Sequence, residues 1–346
     1  MRTFEWSPRC ERPSGLVIPV RVDPAGVTGP TRSAARRGRW RQVCAGRYVP
    51  ADTDSTIVEQ RIVEQASRLG RHGGVTAWAA LRWRGAAYFD GLTAGGTRQL
   101  PIPLLIGSNL RPDPRAALSW EQFAPTEREV IDGLPCATIQ RALFDEMHRT
   151  GSLRDAVVAM DMAAAAGLIS TGLMSEYVAQ RGPWTGIPLV RKALLLATDD
   201  SMSPQESRQR LVWLLDAGLD PPLCNPFVFS KSDGRLLGRP DLLDPVAGLI
   251  AEYDGADHLK KDRRRRDIRR ENDFRDHGLE YVTTVRGDIG QRTMLARRFL
   301  AGRVRARFES PEDRAWTLIP PPWFSLPEPL DARLRRTGRA AELTHT

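Results

Sequence analysis

The chain is poor in lysine and cysteine and has no long apolar run. Of its 51 basic residues only Lys192, Lys231, Lys260 and Lys261 are lysines. The four cysteines, Cys10, Cys44, Cys136 and Cys224, are scattered with no C-x-x-C pair, which argues against both a zinc knuckle and a disulfide framework and leaves buried thiols. A membrane span needs roughly eighteen or more consecutive apolar residues. The best candidate, around residues 156 to 169, is interrupted by Asp161. The opening Met-Arg-Thr-Phe-Glu-Trp lacks the apolar core of a signal peptide, so a cytoplasmic protein with no membrane partner is expected.

What is present is charge, unevenly placed. Residues 1 to 50 hold ten Arg against three acids, and residues 258 to 308 hold sixteen Lys or Arg against seven. With a net charge of +9 the remainder must sum to −7. Two basic zones around an acidic middle suit a polyanion, because neutralised phosphates release counterions. A GC-rich codon bias accounts for Arg over Lys but not for this segregation. At 346 residues the chain suits two or three domains, each with its own core.

Residues 31 to 37 read as a short basic helix ended by Gly38, and residues 39 to 50 as a tight hairpin with Trp40, Val43, Tyr48 and Val49 available for packing. A helix followed by a hairpin is how a winged helix ends. Apolar spacing predicts helices at 55–69, 75–83, 138–149, 153–165, 171–180 and 189–197, with short strands and loops punctuated by Pro and Gly over 98–139. Ser203 can cap a helix in which Glu206 completes a capping box. Strands at 226–229, 235–243 and 249–254, a charged helix, a strand at 279–285 and a helix from 288 to about 304 follow. Beyond Pro311 the Pro-rich tail is expected to be extended and partly disordered.

Chemistry concentrates at residues 240 to 258. Side chains two apart on a strand share a face, so Glu252 and Asp254 project together while Ala251 and Tyr253 face away. If residues 245 to 248 turn, Asp241 on the preceding strand sits opposite this pair. Three carboxylates in one pocket are costly without a cation, and hard oxygen ligands suit Mg²⁺ or Mn²⁺. Downstream, residues 260 to 270 form the densest basic run. Pairs such as Asp262 with Arg266 have the i,i+4 spacing of a solvated helix. The surplus cations Arg265, Arg269 and Arg270 could lie along substrate phosphates.

The segment Glu252-Tyr253-Asp254-Gly255-Ala256-Asp257-His258 resembles the E-(I/Y)-D-G-x-x-H segment of the branch of the PD-(D/E)xK nuclease superfamily related to very-short-patch-repair endonucleases. The resemblance extends upstream to the block around Ser203, Glu206 and Arg210 and downstream to Asp267–Gly278. It implies a mixed sheet flanked by helices, with Asp241 and Glu252 as principal metal ligands beside a backbone carbonyl near Tyr253. Asp254 stands where many members carry Lys, and would ligate metal or orient water. Glu206 would serve a second ion, or is only a capping carboxylate. His258 would transfer protons beside the metal site, or is structural. Relatives carry Arg on the strand after the charged helix, where this chain has Thr283; that departure points toward weaker DNA contact or a fold kept for binding alone.

The block Arg36-Arg37-Gly38-Arg39-Trp40 through Gly46-Arg47-Tyr48-Val49-Pro50 resembles the N-terminal domain of AbiEi-type antitoxins, and Thr138–Asp145, the Asp161 helix and Gly167–Ser170 resemble the middle of that family. This implies DNA contacts by Arg32, Arg36, Arg37, Arg39, Arg41 and Arg47, and leaves a toxin or a self-association partner open. The expected architecture is therefore an α/β (α+β) chain: a winged-helix-like module over 1–54, a mainly helical middle over 55–200, a nuclease-like domain over 201–308, and a tail over 309–346. Two functions are expected to compete: a metal-dependent DNA endonuclease, and a non-catalytic DNA-binding regulator or antitoxin.

Overall fold

The structure, a computed structural model, describes residues 13–93, 96–255 and 261–338, with only the backbone course of 261–267 included. Helix α1 (Arg32–Arg36) starts where the Thr31 hydroxyl accepts the Ala34 amide at 3.1 Å, and ends at Arg37 before Gly38. Strands β1 (Trp40–Cys44) and β2 (Arg47–Pro50) form the expected hairpin. Val43 and Val49 are fully buried, whereas Trp40 and Tyr48 are half-buried. Among the described residues before 55, α1 is the only helix.

The middle region is less helical than its apolar spacing suggests. Helix α2 (Val58–Ala66), strand β3 (Gly74–Val75), helix α3 (Ala77–Trp83) and strands β4 (Ile102–Leu105), β5 (Ala116–Ser119), β6 (Arg128–Ile131) and β7 (Leu134–Ala137) come first. The strands make a five-stranded sheet in the order β5-β4-β3-β7-β6. β6 and β7 are joined through Asp132 and Gly133, both at positive φ, a two-residue turn whose twist matches that of the strands. Helices α4 (Ile139–Arg149), α5 (Leu153–Ala165), α6 (Thr171–Ala179) and α7 (Ile187–Leu194) follow close to the expected limits, since Ser152 and Ser170 cap α5 and α6.

The C-terminal region comprises α8 (Pro204–Leu215), β8 (Leu223–Cys224), β9 (Val228–Ser230), β10 (Leu236–Gly238), β11 (Leu242–Asp244), β12 (Leu249–Asp254), α9 (Lys261–Asp276), β13 (Glu280–Val285), α10 (Arg292–Arg305), β14 (Trp316–Thr317) and α11 (Leu330–Arg336). The expected strand 235–243 is two strands in two sheets. Pro240 has no N–H to donate, and the ladder breaks there. β10 joins β9 and β14, while β11 lies in a four-stranded sheet of order β13-β12-β11-β8, antiparallel to both neighbours, with β12 and β13 parallel.

Helices cover both faces of that second sheet. Leu242, Leu249, Ala251 and Val282 pack with Val212 and Trp213 of α8 and Leu295 and Phe299 of α10. Leu243, Ile250 and Tyr281 pack on the opposite face with Phe274 of α9. α8 also ties the two halves together: its Leu211 belongs to the middle core, and Arg210 pairs with the buried Asp161 of α5 at 2.5 Å.

The tail is ordered further than its proline content suggests. β14 pairs with β9, Trp316 is buried, and α11 seats Leu334 in the middle core while Asp331 accepts the Ser170 hydroxyl. Apolar anchors at Trp316 and Leu334 outweigh the extended preference of the prolines between them. No helix among the described residues is long and apolar enough to cross a membrane.

Candidate active site

The β11–β12 hairpin turns over Pro245–Gly248, as the sequence implies. Asp244 holds the turn by accepting the amides of Val246 and Ala247 at 2.9 and 3.0 Å, and its other oxygen pairs with Arg303. The register pairs Leu242 with Ala251, so Asp241 and Glu252 stand opposite each other one step further out. Alternation places both on the face that carries Leu243 and Ile250, beneath α9.

Asp241 accepts the Tyr253 amide at 2.7 Å. Burial pushes its carboxyl up to about 7, with the neighbouring Glu206 and Glu252 charges adding to the rise; the Tyr253 amide and Arg270 oppose it. Glu252 is 7% exposed. It is bound by the Arg270 guanidinium of α9 at 2.6 Å and by the Tyr281 phenol, whose proton burial and Glu252 both help retain.

Glu206 approaches from the first turn of α8. The Ser203 hydroxyl accepts the Glu206 amide at 3.2 Å, and the Glu206 carboxylate accepts the Met202 amide and the Asn225 side-chain amide, each at 2.8 Å. The cap is therefore not a reciprocal box on Ser203. Asn225, in the left-handed region just after β8, also donates its amide to the Asp241 carbonyl at 3.1 Å, linking the two acids.

Asp254 ends β12 exposed to solvent, on the face of Glu252 but beyond the Asp241–Glu252 pair. Thr283 lies beside Glu252 in the parallel β12–β13 register. The Arg270 guanidinium of α9 reaches Glu252 from across the sheet face. His258 lies outside the described residues, as does the side chain of Arg265. Arg269 is exposed, and Arg270, expected to face phosphate, is turned onto Glu252.

At the other basic zone, Arg32, Arg36, Arg37 and Arg39 are exposed. Arg41 instead forms an ion pair with Glu64 at 2.8 Å, and Arg47 is half-buried, its pKa lowered by desolvation and by Arg21. Sequence reasoning missed three contributors. Tyr281 was visible only as an apolar strand residue, Asn225 gave no signal, and Arg286, whose charge acts on Tyr253 at the same end of the sheet, lay outside the dense basic run.

Among the described residues no three His, Cys, Asp or Glu side chains are gathered closely enough to hold a metal ion. The donor chemistry nonetheless suits a hard divalent cation. The buried Glu252 and the half-buried Asp241 share one face, and the rise at Asp241 is partly a like-charge cost that a cation relieves. Comparison with protein-family models, with curated proteins and with solved structures finds no match for this chain.

Proposed function

We propose that the C-terminal region is a divalent-metal-dependent DNA endonuclease of the PD-(D/E)xK kind, acting in the cytoplasm, and that the exposed N-terminal arginines hold the protein on duplex DNA. The observation that carries this reading is the facing of half-buried Asp241 with buried Glu252, Asp241 being pushed up to about 7 by desolvation and by two acidic neighbours. Like charge gathered in this way is costly in a purely structural core, even with Arg270 on Glu252. The order α8, β8, β11, β12, α9, β13, with its last strand parallel to β12 and helices on both faces, is the arrangement such a nuclease domain requires; β9 and β10 are inserted between the first two sheet strands.

Asp241 and Glu252, with a backbone carbonyl near Tyr253, would hold Mg²⁺ or Mn²⁺, and Asp254 and Glu206 flank them. When bound, the ion neutralises charge on the phosphate oxygens and acidifies water for attack on phosphorus. Arg270 is the resident counter-ion of Glu252, and a DNA phosphate competes with Glu252 for its guanidinium. Arg269, next to Arg270 on α9, and Arg286, whose charge acts on Tyr253, are both exposed. Plasmid nicking with Mg²⁺ or Mn²⁺ tests the reading. Wild-type protein is expected to nick, and Asp241→Ala and Glu252→Ala are expected not to; no cleavage, or cleavage that survives both changes, overturns it.

The Arg270–Glu252 pair together with Thr283 favours a second reading, a DNA-binding regulator or antitoxin in which the carboxylates are neutralised for good. On that reading the protein shifts DNA in a gel, with or without a toxin or a second copy as partner, and never cuts it.

A further inference from the structure

A second cavity, of about 550 Å³, lies between α3, the loop from Tyr88 to Thr93, the C-terminal end of α4 and the first turns of α5 and α8. Its volume falls within the roughly 300–1,000 Å³ of small-molecule sites. Trp78 and Phe89 form buried walls, while Tyr88, 37% exposed, lines the cavity beside them. Gly91 lets the loop lie flat on Trp78, since a Cβ there would come within 2.4 Å of the indole.

The polar lining converges. Tyr88 hydrogen-bonds Arg208 of α8 and lies within the fields of Asp155 and Glu146. Glu146, pushed up to about 6 by burial, accepts the Trp78 amide at 3.0 Å. Arg149 completes a second cationic point on the rim. The wall itself is strained: Ala77 has φ +46, held in place by Thr76 on Asp145 at 2.5 Å and Trp78 on Glu146. A non-glycine residue in that region is costly and persists where its surroundings impose it, often at ligand sites.

We propose that this cavity binds one nucleotide, its base stacked on Tyr88 with its edge on Glu146 and its phosphate on Arg208 and Arg149. Aromatic faces accept any base, carboxylates accept hydrogen bonds from base amino groups, and two guanidiniums suit a phosphate. The nucleotide is either free or a base extruded from DNA. The site is separate from the carboxylate pair: Glu206 and Arg208, two apart on α8, point to different sides of the helix, Glu206 toward Asp241 and Arg208 toward Tyr88.

Equilibrium dialysis of the full chain against each deoxynucleoside 5′-monophosphate, with EDTA present, tests this without reference to cleavage. Saturable binding is expected, weakened roughly tenfold by Tyr88→Ala and also weakened by Glu146→Gln, a near-isosteric change that leaves the cavity its shape. A mononucleotide that competes with a duplex carrying one unpaired nucleotide identifies an extruded base; one that binds without competing identifies a free ligand. No saturable binding, or binding unaltered by both substitutions, overturns the proposal.

Discussion

Two clusters of buried charge in this molecule are built on opposite accounts. In the middle region Arg141, 1% exposed, is surrounded by Glu121, Glu127 and Asp145 at 2.8 to 3.0 Å, and Glu127 is further bound by Arg181 and the Tyr177 hydroxyl. Trp184 lies against both guanidiniums. In the C-terminal region, among the described residues, Arg270, itself 36% exposed, is the guanidinium paired with the group formed by Asp241, Glu252 and Glu206. The first cluster sets two guanidiniums, packed against Trp184, among three carboxylates, with every carboxylate in direct contact with a cation, as in a scaffold. The second gathers three carboxylates around the partly exposed Arg270, and like charge there pushes Asp241 upward.

The contrast breaks most sharply in activity. Asp241→Ala is expected to abolish nicking, a loss of at least about three orders of magnitude given the weight of charge stabilisation in such reactions, while leaving the melting temperature unchanged or higher because a repulsive contact is gone. If the variant cuts DNA as well as wild type, the second cluster is no more functional than the first.

Next in size is Arg141→Met. Removing one member of a buried network strands the others, so this change is expected to cost roughly 3–5 kcal/mol in urea unfolding. Arg270→Met, at a half-open site, is expected to cost no more than about 1 kcal/mol and to tighten Mg²⁺ binding measured by calorimetry. Equal destabilisation by the two substitutions would show that Arg270 is a structural cation like Arg141.

Proton linkage sharpens the same comparison. The folded pKa of Asp241 is raised to about 7 from 3.8, so between those values the folded chain holds a proton that the unfolded chain has released. Its contribution to stability is complete below about pH 4 and is lost as pH rises through 7. Asp145 and Glu146 behave alike but finish near pH 6. Asp241→Asn is therefore expected to flatten the fall in stability between pH 6 and 7, and to lessen but not abolish the fall from about pH 4 to 6, which Asp145 and Glu146 maintain. Divalent-ion affinity should rise over the same interval in the wild type, as Asp241 gives up its proton.

How much of this was legible follows from how locally each feature is encoded. Helix α5 was readable to both ends because Ser152 caps it and its apolar spacing is unbroken. The Pro245–Gly248 turn and the facing of Asp241 with Glu252 follow from strand alternation alone. The β6–β7 hairpin carried a readable Asp-Gly turn at 132–133, yet the full five-stranded sheet did not declare itself, since β3 is two residues long and pairs with strands far along the chain. The expected strand over 235–243 ran through Pro240, whose missing N–H was the overlooked signal of the break between β10 and β11. Arg270 on Glu252 could not be read, because a helix must fold back over a sheet to bring residues 18 apart into contact. The basic run looked solvated in sequence, and one of its members proved to be the counter-ion of the site.

The N-terminal arginines provide the smallest expected effect and the finest division. Arg36 and Arg37 are exposed, with no carboxylate paired to them among the described residues, whereas Arg41 is already held by Glu64 and Ser55. Each phosphate contact contributes about 0.9 to the slope of log K against log salt. Replacing Arg36 and Arg37 together by Ala is expected to lower that slope by up to about 1.8 in gel-shift titrations, with no change in melting temperature. Arg41→Ala is expected to do the reverse, leaving the slope alone and costing about 1 kcal/mol of stability. Should Arg41 carry the slope instead, the Glu64 pair must open on binding, and this end of the chain would then share with Arg270 the property of a cation released from carboxylate to phosphate.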